Sequence, residues 1–550
     1  MKKKIIIIGG VAAGASAAAR LRRLDEQAEI IILEKGEYIS FANCGLPYYI
    51  GGIIKQRNHL LVQTPAAMSK RFSLDIRTCN EATSIDTANQ TVDITEINTG
   101  RIYKENYDYL IICTGSQAVI PEIPGINKHA VFQVRNIPDS DLIKSYIQAH
   151  LVRRATIIGG GMIGLEMTEM LHNLNLEIHI IESSPQILPF LDPEMASYLH
   201  RELRRNHIKL HLSEKVSAIL GAQKVTGLQL NSGGVLDVDM VILAAGIYPN
   251  NALAEQAGLA IGAVGGIQVD EYLRTSDPHI YAAGDVIQVN HIVTGAETLA
   301  PLAGPANRQG WIAANNICGN KVLYKGAQGT SIIKLITQTA AATGLSEKEL
   351  KNTSIPHQAV HVYPFSHAPY YPGAEQIAVK LLFNPQNGLL LGAQGVGADG
   401  VDKRIDVLAT ALRAKMTVFD LQELELAYAP PYSSAKDPIN MAAYVAGNVV
   451  LGLTDITHWP QVPEQIKNHN AFLLDVRTIP EYSLGSVQNA YNIPLDEIRN
   501  RHQELPEGQT ILIYCGVGLR SYIASRILTQ LGYKVKNISG GYNLYRAVNS

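Results

Sequence analysis

The sequence predicts an α/β protein with two doubly wound dinucleotide-binding domains, then an α+β domain, then a smaller C-terminal α/β domain. Three observations carry this. The segments KKIIIIGGVAAGASAAARLRRLDEQAEIIILEK (residues 3–35) and ATIIGGGMIGLEMTEMLHNLNLEIHIIES (155–183) share one plan. Each is a β-branched strand, a glycine-rich turn, a helical stretch and a second strand ending in an acid, the order of a βαβ unit. After residue 319 the pattern changes to alternating strands such as QIAVKLLFN and GLLLGAQGVG, and from residue 453 an α/β alternation resumes.

A chain of 550 residues suggests three or four domains at roughly 100–200 residues each. With 46% hydrophobic and 17% charged residues, neither disorder nor a fibrous fold fits. A net charge of -2 leaves no footprint for nucleic acid or an anionic membrane. The N-terminal apolar run is four Ile followed by Gly-Gly, too short for a signal peptide, and no stretch is long enough to span a bilayer. A cytoplasmic protein without nucleic-acid or membrane partners is expected. Five cysteines, Cys44, Cys79, Cys113, Cys318 and Cys515, none in a CxxC pair, argue against a disulfide framework and a zinc ribbon.

The first turn reads Gly9-Gly10-Val11-Ala12-Ala13-Gly14, with Val11 at the second fingerprint glycine and Glu34 closing the next strand. The strands in YDYLIICTGS, DMVILAAGIYPN and HIYAAGDV return to the two sheets, so the second domain interrupts the first. The expected domains are 1–120 with 250–322, then 121–249, 323–450 and 453–550. The second turn, Gly159-Gly160-Gly161-Met162-Ile163-Gly164, fits G-x-G-x-x-G, with Glu182 at the following strand end. Such glycines let backbone approach a pyrophosphate at a helix N-terminus, and the acid accepts from a ribose hydroxyl. Ser183 and Ser184 follow Glu182 without an arginine, which favours NADH and leaves NADPH open. Gly284 and Asp285, at the end of HIYAAGDV, match the second flavin-binding motif of two-dinucleotide flavoproteins. Two dinucleotide sites imply FAD and a nicotinamide acting in sequence.

With these motifs the chain resembles the pyridine nucleotide-disulfide oxidoreductase family over residues 1 to about 450. The single cysteine of SFANCGLPYYIGG makes it similar to the coenzyme A-disulfide reductase branch. The CxxxxC dithiol of other branches is absent, since Ile39 and Tyr49 hold the positions five residues to either side of Cys44. The branch also carries a Gly-Val-Ala first turn. The resemblance adds Lys35, Thr114, Gly115, Pro301 and Ala303 to the flavin contacts, and Glu166 and Gly246 to the cofactor contacts. It implies coenzyme A along Ser16, Arg20 and Arg23, beside Ser40 and Asn43, with Lys70 or Arg71 at its phosphates. Arg20 and Arg23, one turn apart, are placed to share an anion.

The same resemblance makes residues 323–450 a dimerisation domain, implies a homodimer, and places Tyr370 or Tyr371, with Tyr428, near the partner's cysteine. If Cys44 opens a helix over CGLPYYIGG, the helix N-terminus lowers its pKa.

The last hundred residues resemble a rhodanese domain: Asp475-x-Arg477 and Glu481 precede the loop Cys515-x-x-Gly518-x-Arg520, and ISGGYNLY closes the unit. Four residues separate Cys515 from Arg520, one fewer than in related phosphatase loops, which favours sulfur over phosphate as cargo. GSVQNA departs from the Gly-His-Ile-Pro-Gly-Ala of many such domains.

The resemblances imply reduction of coenzyme A disulfides, coenzyme A persulfide or polysulfide, with Cys44 forming a mixed disulfide and Cys515 delivering sulfane sulfur. An NADH oxidase or peroxidase, or a sulfur carrier without reductase turnover, is the alternative. His357, His361 and His367 read as structural, and no metal is expected.

Overall fold

Two parallel sheets, one antiparallel sheet and a third, smaller parallel sheet form the frame. The computed structural model describes residues 2–549 of the chain. They divide into two compact units, one running to Pro185 and resuming over Lys209–Ala327, the other taking Gln186–Ile208 and everything from Gln328 onward.

In the first unit, Lys4–Ile8 is the central strand of a five-stranded parallel sheet ordered Ile280–Ala282, Tyr109–Ile112, Lys4–Ile8, Glu29–Glu34, Asp75–Thr78. Strands of such a sheet are buried on both faces, so they read as unbroken Ile and Leu runs; Ile5, Ile6 and Ile7 are fully buried. Helix Ala12–Leu24 covers one face and packs on helix Ala303–Ile317. A Cβ on Gly310 would lie 2.1 Å from the Ala13 carbonyl oxygen, so the two helices meet backbone to backbone. A second parallel sheet is ordered Lys209–Leu212, Glu177–Glu182, Arg154–Ile158, Met240–Leu243, Val131–Gln133.

In both sheets the strand order reverses beside the strand that leads into a glycine turn. In an open α/β sheet, that is where ligands bind. Two three-stranded antiparallel sheets, Asn80–Asp86 with Thr91–Glu96 and Arg101–Asn106, and Val216–Leu220 with Gly227–Leu230 and Val235–Asp237, go beyond the sequence reading. Most of their strands are short, or polar and half-exposed, which hides them among loops.

In the second unit an antiparallel sheet is ordered Ser331–Leu335, Gln338–Gly344, Leu390–Gly397, Ala378–Phe383, Gln358–Val362, with helices Val401–Arg413 and Pro438–Val450 against it. Residues 456–538 build a parallel sheet ordered Ile456–Thr457, Lys534–Ile538, Thr510–Tyr514, Phe472–Asp475, Tyr491–Asn492. No helix among the described residues is long and apolar enough to cross a membrane.

One ionic knot ties this unit together. The Lys380 ammonium, fully buried on its strand, lies 2.8 Å from Asp192, 2.5 Å from Glu194 and 2.7 Å from Glu347. His361 joins Glu194 through Nε2 (3.1 Å) and Ser539, just after Lys534–Ile538, through Nδ1 (3.1 Å). The three carboxylates converge, and Lys380 occupies the position a cation would take. His357 and His367 each meet a backbone carbonyl through Nδ1. Burial alone would raise the Glu194 and Glu347 carboxyls, but Lys380 and their hydrogen bonds hold both below the usual range, Glu347 at about 2. Burial holds His458 at about 4.

All three groups bind fewer protons folded than unfolded, so stability falls as pH drops from the ordinary histidine range toward about 2. Lys380→Met should leave the carboxylates uncompensated and cost about 3–5 kcal/mol, read as a lower urea midpoint at pH 7. A midpoint equal to that of the unmodified protein would contradict the knot's role.

Candidate functional site

At the first turn, geometry demands glycine. Gly9 has φ +99°, and a Cβ there would lie 2.2 Å from the Cys113 carbonyl oxygen; one on Gly14 would lie 1.8 Å from the Gly9 oxygen. The Glu34 carboxylate accepts from the Gly10 N–H (2.9 Å) and the Gly36 N–H (2.8 Å), which holds the turn on the neighbouring strand. Its burial raises its pKa in spite of these bonds. Val11 is the N-cap of helix Ala12–Leu24, and Ala12, Ala13, Ala283 and Ala306 cluster behind it.

Around the turn, Gly115 has φ +68° and Thr114 donates to the Asn250 carbonyl (2.7 Å). Ser116 donates to Asp285 (2.8 Å) while Arg135 donates to the Ser116 carbonyl. The Gly284 N–H meets the buried Gln309 Oε1 (2.8 Å). Pro301 leads into the helix that begins at Ala303. Lys35 is exposed just past Glu34. A turn of glycines and small apolar residues between two helix N-termini, flanked by carboxylates, fits a flavin dinucleotide.

The second turn repeats the design. Gly159 has φ +113° and would place a Cβ 2.1 Å from the Ala244 oxygen; Gly164 would place one 2.1 Å from the Gly159 oxygen. Gly161 faces open space, with nothing within 4 Å of its Cβ position. Glu182 accepts from the N–H groups of Gly160 (2.7 Å) and Ser184 (2.7 Å), and Gly246, φ +118°, turns the chain after strand Met240–Leu243. The cradle fits a nicotinamide dinucleotide. Helix Met162–Asn173, which starts here, carries Glu166, whose carboxyl is pushed up to about 7 by burial and then by Glu169.

Cys44 sits in the single 3-10 turn Asn43–Gly45, ahead of the five-residue helix Leu46–Ile50. Ser40, with φ +44°, donates its N–H to the Gly10 oxygen (2.9 Å), so the loop is pinned to the first turn. Tyr49 and Arg57 both bond Asp141, at 3.1 and 2.7 Å, and Lys144 donates to the Tyr49 oxygen (2.9 Å). Cys44 is exposed. Desolvation raises the thiol pKa, Glu166 raises it further and Asp285 adds a smaller push. This corrects the expected lowering by a helix N-terminus, because one short helix cannot offset the crowding and two carboxylates.

The residues assigned to coenzyme A by resemblance line the first helix and its neighbours. Ser16 donates to Asn307 (2.5 Å), and Arg20 donates to Asn315 (2.9 Å) with its guanidinium 5.0 Å from the Trp311 ring. Arg23 is exposed and folds onto the Ala19 oxygen (3.0 Å), so Arg20 and Arg23 turn to different partners instead of meeting at one anion. The buried Arg22 between them bonds four backbone carbonyls. Lys70 and Arg71 are exposed on helix Pro65–Phe72.

In the second unit the hydroxyls of Tyr370 and Tyr428 lie 2.9 Å apart on exposed side chains, whereas Tyr371 packs edge-on against His367.

Cys515 follows strand Thr510–Tyr514 in a backbone cup. Gly518, φ +119°, donates its N–H to the buried sulfur (3.1 Å), and the Ser521 hydroxyl points to it at 3.5 Å. The floor is tight: a Cβ on Gly541 would lie 2.6 Å from the Cys515 oxygen, which accepts from the Tyr542 N–H (2.8 Å). Arg477, in a buried pair with Asp475, lies with its guanidinium 3.9 Å from the Tyr542 ring. Arg520 is gripped through both terminal nitrogens by Glu481, each at 2.7 Å.

Sequence reasoning missed Ser116, Arg135 and Gln309 around Asp285, and Ser521 below Cys515. Ser116, Arg135 and Gln309 act across distances the fold closes, whereas Ser521 lies six residues from Cys515, directly after Arg520.

A family model described as pyridine nucleotide-disulphide oxidoreductase matches residues 3–310, its dimerisation domain matches 331–438, and a rhodanese-like domain matches 459–547. A coenzyme A disulfide reductase from Staphylococcus haemolyticus is 36% identical over 81% of this chain and 99% of its own. An NADH oxidase from Methanocaldococcus jannaschii is 35% identical over 80% and 98%. Among solved structures, reduced Bacillus anthracis CoADR-RHD has TM-score 0.98 and 49% identity, covering 100% of this chain and 98% of that one. An NAD-dependent persulfide reductase from A. fulgidus has TM-score 0.92 and 38% identity, covering 98% and 100%.

Cys44 alkylation followed against pH should give an apparent pKa above the ordinary thiol value, and Glu166→Gln should move it down. A value below that of a free thiol, or none of this dependence on Glu166, would contradict the geometry.

Proposed function

The chain belongs to the pyridine nucleotide-disulphide oxidoreductase family, and from that premise we propose an FAD-dependent, NADH-linked reductase of coenzyme A disulfides and persulfides, supplied with sulfane sulfur by its own rhodanese domain. One observation carries the reading. All five cysteines are free, and the two at sites are single: Cys44 beside Glu166 and Cys515 in its cup. A lone thiol cannot exchange with a protein disulfide of its own, so the second sulfur must come with the substrate.

The Cys515 cup would stabilise a terminal sulfur anion through the Gly518 N–H and the Ser521 hydroxyl. A persulfide there, Cys515–S–S⁻, transfers its outer sulfur to coenzyme A thiolate, giving coenzyme A persulfide and Cys515–S⁻. The Cys44 thiolate then attacks the coenzyme A sulfur of CoA–S–SH, forming Cys44–S–S–CoA and expelling HS⁻. The Gly9–Gly14 turn would hold FAD and the Gly159–Gly164 turn a nicotinamide dinucleotide, which together would supply the two electrons that reopen this disulfide to two thiolates. Glu166, titrating about 7, holds a proton beside Cys44 near neutral pH.

Ser16, Arg20, Arg23, Ser40, Asn43, Lys70 and Arg71 would bind coenzyme A. The residue ranges 1–120 with 250–322, 121–249, 323–450 and 453–550 would serve flavin binding, nicotinamide binding, dimerisation and sulfur transfer. In a homodimer, the hydroxyl pair of Tyr370 and Tyr428 supports a hydrogen bond to the sulfur leaving Cys44 of the other subunit, with Tyr371 behind it. We place the enzyme in the cytoplasm. The oxidase reading is less favoured: the first turn carries Val11, Ala12 and Ala13, with no histidine for peroxide chemistry, and oxygen reduction has no use for a sulfur cup.

Cys44→Ser should lower NADH-dependent turnover by about a thousandfold or more while NADH still bleaches the flavin. Cys515→Ala should spare turnover of a small coenzyme A persulfide and impair use of polysulfide. Full turnover in either case would overturn the scheme.

A further inference from the structure

The loop that bears Cys515 takes its shape from residues beyond its own strand and helix. The Cys515 carbonyl accepts from the Tyr542 N–H (2.8 Å) and the Gly516 carbonyl from the Asn543 N–H (3.0 Å). These peptides are trans, and in a planar trans peptide the N–H points opposite to the C=O. Holding the two carbonyls on residues 542 and 543 therefore turns the Gly516 and Val517 N–H groups away from that floor. Successive N–H groups of this kind form an anion-binding concavity.

The floor has little slack. A Cβ on Gly541 would lie 2.6 Å from the Cys515 oxygen and 2.9 Å from the Gly516 oxygen, and the Gly541 oxygen accepts from Trp459 Nε1 (2.8 Å). Gly540 and Gly541, with φ +82° and +55°, join this floor to Ser539. The Ser539 N–H donates to the Thr457 oxygen (2.9 Å). Its buried hydroxyl oxygen meets His361 twice, the backbone N–H at 2.9 Å and Nδ1 at 3.1 Å. His361, also buried, lies on Gln358–Val362, the edge strand of the antiparallel sheet, with Nε2 3.1 Å from Glu194 of the Lys380 knot. Glu194 belongs to helix Pro193–Arg205, against which helix Gly541–Asn549 packs.

A line of contacts thus runs from Lys380 through Glu194, His361 and Ser539 to the floor of the cysteine loop. We propose that His361 is a positioning residue for sulfur transfer at Cys515, an inference that rests on the sulfurtransferase reading above. It fixes Ser539, and through the two glycines it fixes the peptides whose N–H groups face the cargo sulfur.

Substitution separates the two ring nitrogens. An Asn amide stands where Nδ1 does, one bond beyond Cγ, and keeps a donor and an acceptor for Ser539; a Gln amide reaches as far as Nε2 and keeps Glu194 instead. The test uses the full chain with Cys44→Ser, so that only one site cysteine can load, and sodium tetrasulfide as donor. Cys515–S⁻ and tetrasulfide dianion give Cys515–S–S⁻ and trisulfide dianion. The mass gain of one sulfur on the Cys515 peptide is followed in time, with the urea midpoint measured alongside.

His361→Gln and Ser539→Ala should each slow loading about tenfold, the rate equivalent of one hydrogen bond. His361→Asn should load at nearly the unmodified rate, even though losing Glu194 lowers its urea midpoint. With Cys44 restored, NADH-dependent reduction of coenzyme A disulfide, which does not use Cys515, should be unchanged in all three. Unchanged loading in His361→Gln or in Ser539→Ala, loading that tracks the urea midpoint in all three variants, or an equal loss of disulfide reduction would overturn the proposal and leave sulfur transfer intact. No loading of Cys515 in the protein without these three changes would overturn the sulfurtransferase reading and the proposal with it.

Discussion

The chemistry of this chain depends on where Cys44 is held, in a loop pinned to the first glycine turn by the Ser40 N–H on the Gly10 oxygen. Crowding and the carboxylates of Glu166 and Asp285 all disfavour a negative sulfur there. The neutral forms are favoured in turn: a thiol, or a sulfur capped in a mixed disulfide. A thiolate made in such a place is more basic and therefore a stronger nucleophile, since nucleophilicity rises with thiol pKa. Each tenfold loss of resting anion is only partly offset, because reactivity per anion rises with a slope of about 0.4–0.5. Cys515 sits in a different setting, buried, with the Gly518 N–H and the Ser521 hydroxyl directed at its sulfur.

Backbone contacts hold the first site in place. Gly9 against the Cys113 carbonyl, Gly14 against Gly9, and Gly310 against Ala13 bring strand ends and helix starts together where no side chain fits. Ser40 then ties the cysteine loop to Gly10, so the geometry of the nucleotide turn also sets the position of Cys44. In the second unit an ionic contact plays the equivalent part: Lys380 joins three carboxylates, and His361 links one of them to Ser539.

What could be read from the sequence was whatever depends on local spacing. The two glycine turns, Glu34 and Glu182, the unpaired Cys44 and the Cys515 loop all announce themselves in short windows, and the parallel sheets follow from their Ile runs. The direction of the Cys44 pKa was not legible, because Glu166 and Asp285 are far away in sequence and the helix that was expected to lower it has only five residues. Ser116, Arg135 and Gln309 around Asp285, and the Lys380 knot, are likewise long-range pairings that no motif marks. Of the antiparallel strands at 80–106, only Thr91–Glu96 alternates, through Val92 and Ile94, and its polar partners on either side give no matching signal. Arg520 was legible as a cup residue, but its capture by Glu481 required the fold.

The central claim is that coenzyme A brings Cys44 its second sulfur. The most direct measurement is intact-protein and peptide mass analysis of the full chain after one anaerobic turnover with coenzyme A persulfide in the absence of NADH, with sulfide counted. The account predicts one coenzyme A joined to Cys44 by a disulfide and one sulfide released per site. An unmodified Cys44, an oxygenated Cys44, or sulfide released without the adduct would contradict it.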